Sequence, residues 1–405
     1  MLAGVLLATV GSAFAATAPA KKASETPKHY SEWLTRSEMQ RVPESYMLDF
    51  SNRPKWSYVM GIELESMLDT YLKYGGDDIK DYCIQYTDTM ISPDGVIRGY
   101  KLLDYNLDNV RTGHFVTRMY QHFPENKNLK AMNTLMRQLD EQPRTKEGVY
   151  WHKAIYAYQV WLDGIFMGLP YRVLTASTIY TPELAKPIYD DAVEQVKSTY
   201  DRTFDSKTGL NRHAWDESRE MFWSDNETGL SQHCWGRAQG WYTMALVELL
   251  DVLPEDYERR GEVIDLLTRT FDNIIKWQDP KTGTWYQVMD SPEREGNYLE
   301  STCTSMFAYS LLKAARKGWV KDAKYREAGI KSYEGIVDNF IKENPDGTIS
   351  LTDCCVVAGL GPGISDAVLK AAPKVKENKR RDGSYAYYLS EPIRDTDAKG
   401  VGPFI

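Results

Sequence analysis

Histidine and cysteine are scarce in this chain, with six and five among 405 residues, and none falls at metal-ligand spacing. No H-x-x-H, H-E-x-x-H or paired C-x-x-C motif is present, so the usual zinc frameworks are excluded and no metal site is expected. Cys83, Cys234, Cys303, Cys354 and Cys355 are odd in number, and the adjacent pair has awkward geometry for one ordinary bridge. Buried free thiols are therefore the expectation, with one disulfide left open. Basic tracts are lacking too: 49 basic residues face 57 acidic ones, for a net charge of -8. That balance argues against nucleic-acid binding, which rests on phosphate contacts. No apolar run reaches the ~20 residues needed to span a bilayer. There is no G-x-S-x-G, phosphate loop or dinucleotide fingerprint, which removes α/β-hydrolase and nucleotide chemistry.

What is present is an ordinary globular composition, 42% hydrophobic and 26% charged, enough for a sizeable core. Tyrosine and tryptophan are abundant, at 27 and 11 residues. Their apolar bodies and polar tips suit a half-wet cavity such as a sugar cleft, though a tyrosine-rich core fits equally. Residues 1–15 read as an apolar stretch ending in the A-x-A site Ala13-Phe14-Ala15, the pattern of a signal peptide. The basic region that normally opens such a peptide is missing, which points to a start further upstream. Residues 16–28 read as a flexible linker and 29–405 as a single domain. Export to a bacterial periplasm is expected.

Within that domain helix-like segments follow one another with few strands. Apolar spacing predicts helices over 56–74, 77–90, 107–123, 126–139, 155–169, 182–200, 237–253, 259–277, 301–315 and 321–341. Short connections pair them into antiparallel hairpins. A D/N-rich turn followed by a short extended stretch recurs between pairs, as at Phe204 to Leu210, Asp279 to Trp285 and Asn344 to Thr348. Five hairpins are visible. A sixth combines a helix over 30–41 with one at the C-terminus, giving an all-α (α/α)6 barrel. An open solenoid is the competing architecture, disfavoured because neither terminal segment looks like a polar capping repeat.

Four constellations carry chemistry. Asp163 is the only charged residue between Ala154 and Tyr171. On a helix over 155–169 it shares a face with Tyr156, Gln159 and Phe166. A desolvated carboxyl of this kind favours the protonated form that a general acid needs; a structural aspartate pairing with an arginine explains the pattern equally well. The second, His233-Cys-Trp235-Gly-Arg237-Ala-Gln-Gly-Trp241, places a guanidinium and indoles on one helical turn, suited to a carboxylate and a sugar ring or to a cation–π core contact. Asp108 stands at a helix entrance, where capping is its commoner role. His213 in Arg212-His-Ala-Trp-Asp216 is a lone loop histidine, a type more often structural than catalytic.

At these residues the chain resembles glycoside hydrolase family 105, the unsaturated rhamnogalacturonyl hydrolases, and more distantly family 88. The matching stretches are Trp151-His-Lys153, Trp161-Leu-Asp163-Gly-Ile-Phe-Met167, the His213 loop, Trp235 to Trp241, and the tail segments Asp382 to Tyr388 and Asp397 to Phe404. Many members carry Arg-Gly-Asn-Gly-Trp where this chain has Arg237-Ala-Gln-Gly-Trp241, a departure that bears on substrate. The resemblance implies an (α/α)6 barrel without a metal or organic cofactor, acting on an acidic oligosaccharide. It implies hydration of a C4=C5 double bond, with Asp163 donating a proton to C4 and Asp108 placing the water. Lys153, His213 and Arg237 would bind polar groups of the substrate, Trp235 and Trp241 would stack the sugar, and Tyr58 would border the same pocket. Three other readings stand beside it: another glycan enzyme on the same toroid, a non-catalytic sugar-binding protein, and a protein-binding helical scaffold. Nothing in the sequence speaks to oligomeric state or to the aglycone.

Overall fold

The computed structural model describes residues 29–361 and 381–405. The expected signal peptide and linker lie outside the described residues. Thirteen helices are described, labelled here in chain order: α1 (Tyr30–Arg41), α2 (Tyr58–Tyr74), α3 (Asp77–Met90), α4 (Asp108–His122), α5 (Asn126–Glu141), α6 (Leu162–Ile179), α7 (Pro182–Thr203), α8 (Gly236–Val252), α9 (Arg260–Ile274), α10 (Ser301–Lys317), α11 (Ala323–Phe340), α12 (Tyr385–Ser390) and α13 (Ala398–Phe404). Nine of the ten core helices start within two residues of the expected positions, the precision at which helix ends are defined.

Helices α2, α4, α6, α8, α10 and α13 pack side by side in that order, and α13 closes the circle against α2. Each of the first five leads directly into an outer partner that packs back on it. The sixth sector joins the two ends of the described chain: Leu34 of α1 shares a buried cluster with Val401 and Phe404 of α13. The fold is an (α/α)6 barrel.

Burial follows from this layering. All of Leu162–Ala176 in α6 and Gly236–Leu250 in α8 are buried, because an inner helix has neighbours on every side. Outer helix α5 buries only a stripe, including Ala131, Met132, Leu135, Met136 and Leu139, at spacings of three and four. Close approach of inner helices depends on small residues. A Cβ at Gly61 of α2 would lie 2.7 Å from Thr112 Cα of α4.

One expected helix differs. Residues 155–161 are not helical: Lys153–Tyr158 form turns, Tyr158 takes φ 64°, and Gln159–Trp161 is a strand. That strand pairs antiparallel with Ala214–Asp216, Trp161 opposite Ala214. The periodic Ile155 and Tyr158 are 73% and 47% exposed, so they do not face the core. A tertiary strand pairing overrides the helical spacing, and the face shared by Tyr156, Gln159 and Asp163 does not exist. The five cysteines are buried and free.

The two mouths of the barrel differ. All inner helices begin at one mouth. At the other, a cavity of about 840 Å³ opens between the inner helices. Its floor is a buried charge cluster in which Arg111 donates to Glu248 Oε2 at 2.6 Å and Glu65 Oε2 at 2.9 Å.

Candidate active site

The mouth formed by the starts of the inner helices gathers the residues singled out from sequence. Tyr58 opens α2, Asp108 opens α4, Asp163 lies in the first turn of α6 and Arg237 in that of α8, with Trp235 just before it. Backbone bonds stitch the intervening loops together. Leu107 N donates to His152 O (3.1 Å), His152 N to Gln159 O (2.9 Å), and Leu162 N to His213 O (3.1 Å). These three bonds bring the segments of Asp108, Lys153, Asp163 and His213 into one place. A Cβ at position 164 would meet His152 Nδ1 at 2.9 Å, so Gly164 lets the His152 ring rest on the start of α6.

The two carboxylates sit in different surroundings. Asp163 is 9% exposed, with Oδ2 3.2 Å from Nε2 of the fully buried His213. The pair approaches without hydrogen-bond alignment, and neither buried atom has another hydrogen-bond partner among the described residues. His213 Nδ1 lies 2.8 Å from the Tyr388 hydroxyl. Asp108 instead holds a cation: Lys153 Nζ is 2.6 Å from Oδ2, and His152 Nε2 is 3.5 Å from Oδ1. The cap at this helix start comes from Asn106, whose Oδ1 accepts from Asp108 N at 3.0 Å. Burial alone would raise the Asp108 carboxyl, but Lys153 and His152 outweigh it and hold the group below the usual carboxylate range. Lys153 is raised in return by Asp108, against the opposing effect of burial. Burial drives His152 down from 6.5 to about 4, so its imidazole is neutral at ordinary pH. The Tyr58 hydroxyl is pushed far up by burial and by Asp108, with Arg237 pulling the other way, and stays a phenol.

Arg237 and the two tryptophans form the wall behind these groups. Arg237 is 1% exposed; it donates to Cys355 O and, at 3.4 Å, to Val356 O, and lies 4.6 Å over the Trp235 ring. Trp235 also packs on His213 at 4.8 Å, while Trp241 stacks on Phe166 at 4.8 Å and meets the Tyr58 edge at 6.4 Å. Both indoles are 1% exposed, their faces covered by protein groups. Tyr58, Trp151 and Tyr156 are half-buried aromatics of this region, Tyr156 stacked on Trp161 at 4.9 Å. A buried guanidinium must satisfy its donors internally, which is why Arg237 grips the 355–356 backbone. Among the described residues there is no group of three or more His, Cys, Asp or Glu able to hold a metal ion.

Three residues of this region were not singled out for the site on sequence grounds. His152 stacks on Trp161 at 4.6 Å and faces Asp108; its adjacency to Lys153 was the available signal. Trp161 stood in the Trp-x-Asp motif but carried no separate signal. Tyr388 reaches His213 from 175 positions away, a separation that no local pattern reveals.

Comparison with known proteins agrees with this architecture. The sequence profile of Glycosyl Hydrolase Family 88 matches residues 30–405. A solved glycoside hydrolase from family 105 of Clostridium, C. acetobutylicum ATCC 824, is 38% identical over 93% of this chain and 97% of its own, with a TM-score of 0.83. The unsaturated glucuronyl hydrolase of Bacillus sp. GL1 shares the fold at 13% identity, TM-score 0.61, over 89% of this chain and 93% of its own. An unsaturated 3S-rhamnoglycuronyl hydrolase of Formosa agariphila is 25% identical over 192 residues, 44% of this chain and 46% of that protein. The chain is therefore a glycoside hydrolase that belongs to Glycosyl Hydrolase Family 88 and is a near relative of family 105 enzymes.

Proposed function

We propose that the protein removes a 4,5-unsaturated uronic acid from the non-reducing end of an acidic oligosaccharide of the rhamnogalacturonan or ulvan type. The observation that carries this reading is the contrast between the two carboxyl groups. Asp163 approaches the His213 ring and, among the described residues, pairs with no lysine or arginine, whereas Asp108 is paired with Lys153. One group suits proton donation and the other suits holding a water.

In this reading Asp163 protonates C4, and the positive charge spreads over C5 and the ring oxygen. A water held by Asp108 adds to C5 and yields its proton. The C5–ring-oxygen bond of the resulting hemiketal then breaks, C5 becomes a ketone, and the ring oxygen takes a proton. The freed hemiacetal at C1 collapses to an aldehyde and releases the aglycone. Vinyl-ether hydration needs one carbon acid and one placed water, not two carboxylates flanking the glycosidic bond. Lys153, at the half-buried rim, supports uronate binding. His213 and the Arg237–Trp235–Trp241 wall support the geometry around the acid, and Tyr58 borders the sugar. We further propose action outside the cytoplasm, supported by the apolar pattern of residues 1–15 alone.

The test is the ultraviolet absorbance of the conjugated C=C–carboxylate on lyase-generated rhamnogalacturonan and ulvan oligomers. Wild type should bleach it, and Asp163→Asn should lose at least about a hundredfold in kcat, the range for a general acid, without a change in thermal midpoint. A folded wild type that bleaches no unsaturated oligomer would overturn the reading.

A further inference from the structure

The imidazole of His213 has two neighbours and only two ring nitrogens, and this determines where its proton resides. Nδ1 is 2.8 Å from the Tyr388 hydroxyl, and Nε2 is 3.2 Å from Asp163 Oδ2. Both rings are fully buried, and His213 Nδ1 is the hydroxyl's one hydrogen-bond partner among the described residues. A phenol has a single proton to donate, and a buried donor left unmet is costly. If Nδ1 carried the hydrogen, the Tyr388 proton would have no acceptor, and the Nε2 lone pair would face a carboxyl oxygen. If Nε2 carries it, the Tyr388 proton has its acceptor and a hydrogen, not a lone pair, stands beside the carboxyl oxygen. The titratable groups around Tyr388 are Asp163, Asp290, Cys234, Tyr387, His213 and His233; among the described residues only His213 accepts from its hydroxyl.

We infer that Tyr388 is a positioning residue: by donating its hydroxyl proton to His213 Nδ1, it fixes the Nε2–H tautomer and so sets a donor, not a lone pair, beside Asp163 Oδ2. The consequence for Asp163 is directional. A donor nitrogen 3.2 Å from Oδ2 disfavours a proton on that oxygen, so the transferable proton belongs on Oδ1, the oxygen left for substrate. At 3.2 Å the approach is close but out of line for a hydrogen bond, as catalytic contacts often are before substrate arrives. Without the Tyr388 hydroxyl the imidazole can carry its hydrogen on Nδ1 and accept the proton of Asp163 at Nε2, which withdraws that proton from the reaction. This step rests on the proposed role of Asp163, but the tautomer itself does not.

The experiment therefore has two arms. Isotope-labelled full-length protein is studied by long-range nitrogen–proton correlation of its histidine rings, with the His213 signals identified by their loss in His213→Gln. Wild type should show a protonated Nε2 and an unprotonated Nδ1, and Tyr388→Phe should show both tautomers exchanging. In the second arm Tyr388→Phe should lower kcat on the order of tenfold to a hundredfold with KM unchanged. An unprotonated Nε2 in the wild type overturns the inference, as does a folded Tyr388→Phe protein whose tautomer and kcat both match wild type. If Tyr388→Phe fails to fold, the wild-type spectrum alone decides. Should no unsaturated oligomer be consumed at all, the reaction proposal fails while the spectral arm still reports on Tyr388.

Discussion

Lys153 and Asp108, 45 positions apart in the chain, form an ion pair of 2.6 Å at the mouth of the barrel, and His152 closes on the second carboxyl oxygen at 3.5 Å. The pair gives Asp108 a lysine partner where Asp163 has the His213 ring, despite their shared place at inner-helix starts.

Removing that cation exposes its effect on titration. In Lys153→Met, burial is opposed only by His152, so the Asp108 carboxyl rises. The acid limb of the kcat/KM profile on unsaturated oligomers should move toward neutral pH, with kcat/KM reduced on the order of tenfold or more. An unmoved acid limb would show that Asp108 does not govern it.

His152 should write a pH dependence into stability. Its imidazole ionises near 6.5 when unfolded and is driven down to about 4 by burial in the folded protein. As pH falls below 6.5 the unfolded chain takes up the proton first, so stability drops until about pH 4 and then levels off for this group. The contribution is roughly 3 kcal/mol, from about 1.4 kcal/mol per unit. Denaturant melts across this window should show the loss in wild type and lack that part of it in His152→Phe.

The charge cluster at the opposite mouth should matter for stability rather than for chemistry. Arg111 is 2% exposed, bridges Glu65 and Glu248, and lies 4.0 Å over Phe166. Arg111→Met removes the closest cation from the buried Glu248 and leaves Glu65 to His114 at 2.9 Å and Arg118 at 3.6 Å, and should cost about 3 kcal/mol in denaturant midpoint analysis. Adding Glu248→Gln to the same protein should recover a good part of the loss, and the folded fraction should keep its kcat.

Much of this was legible in the chain itself, because inner helices carry a strong signal. A stretch such as Leu162–Ala176 is apolar all round, and its outer partners show one clean stripe, so the hairpins and their boundaries follow from periodicity. Asp163 stood out for the same reason, as the lone charge in an apolar run. What was hidden depends on distant partners. The spacing of Ile155 and Tyr158 imitates a helix, yet the pairing of Gln159–Trp161 with Ala214–Asp216 decides the backbone there. Trp235 and Trp241 read as sugar platforms by residue type, but only packing reveals that Arg237, His213, Phe166 and Tyr58 already cover them. His152 and Tyr388 owe their places to loop stitching and chain return, which leave no periodic trace.

The closing of the circle by α13 bears on how the protein comes into being. During synthesis five hairpins have left the ribosome before residues 385–404 exist, and α2 must wait for a neighbour made more than three hundred residues later. Until then the nascent arc has an open flank, and the Tyr388 hydroxyl that faces His213 has not yet been made. The ring contact of α13 with α2 and the approach of Tyr388 to His213 thus arise in the same late event, so a growing polypeptide carries Asp108 and Asp163 for much of its translation without these partners around them.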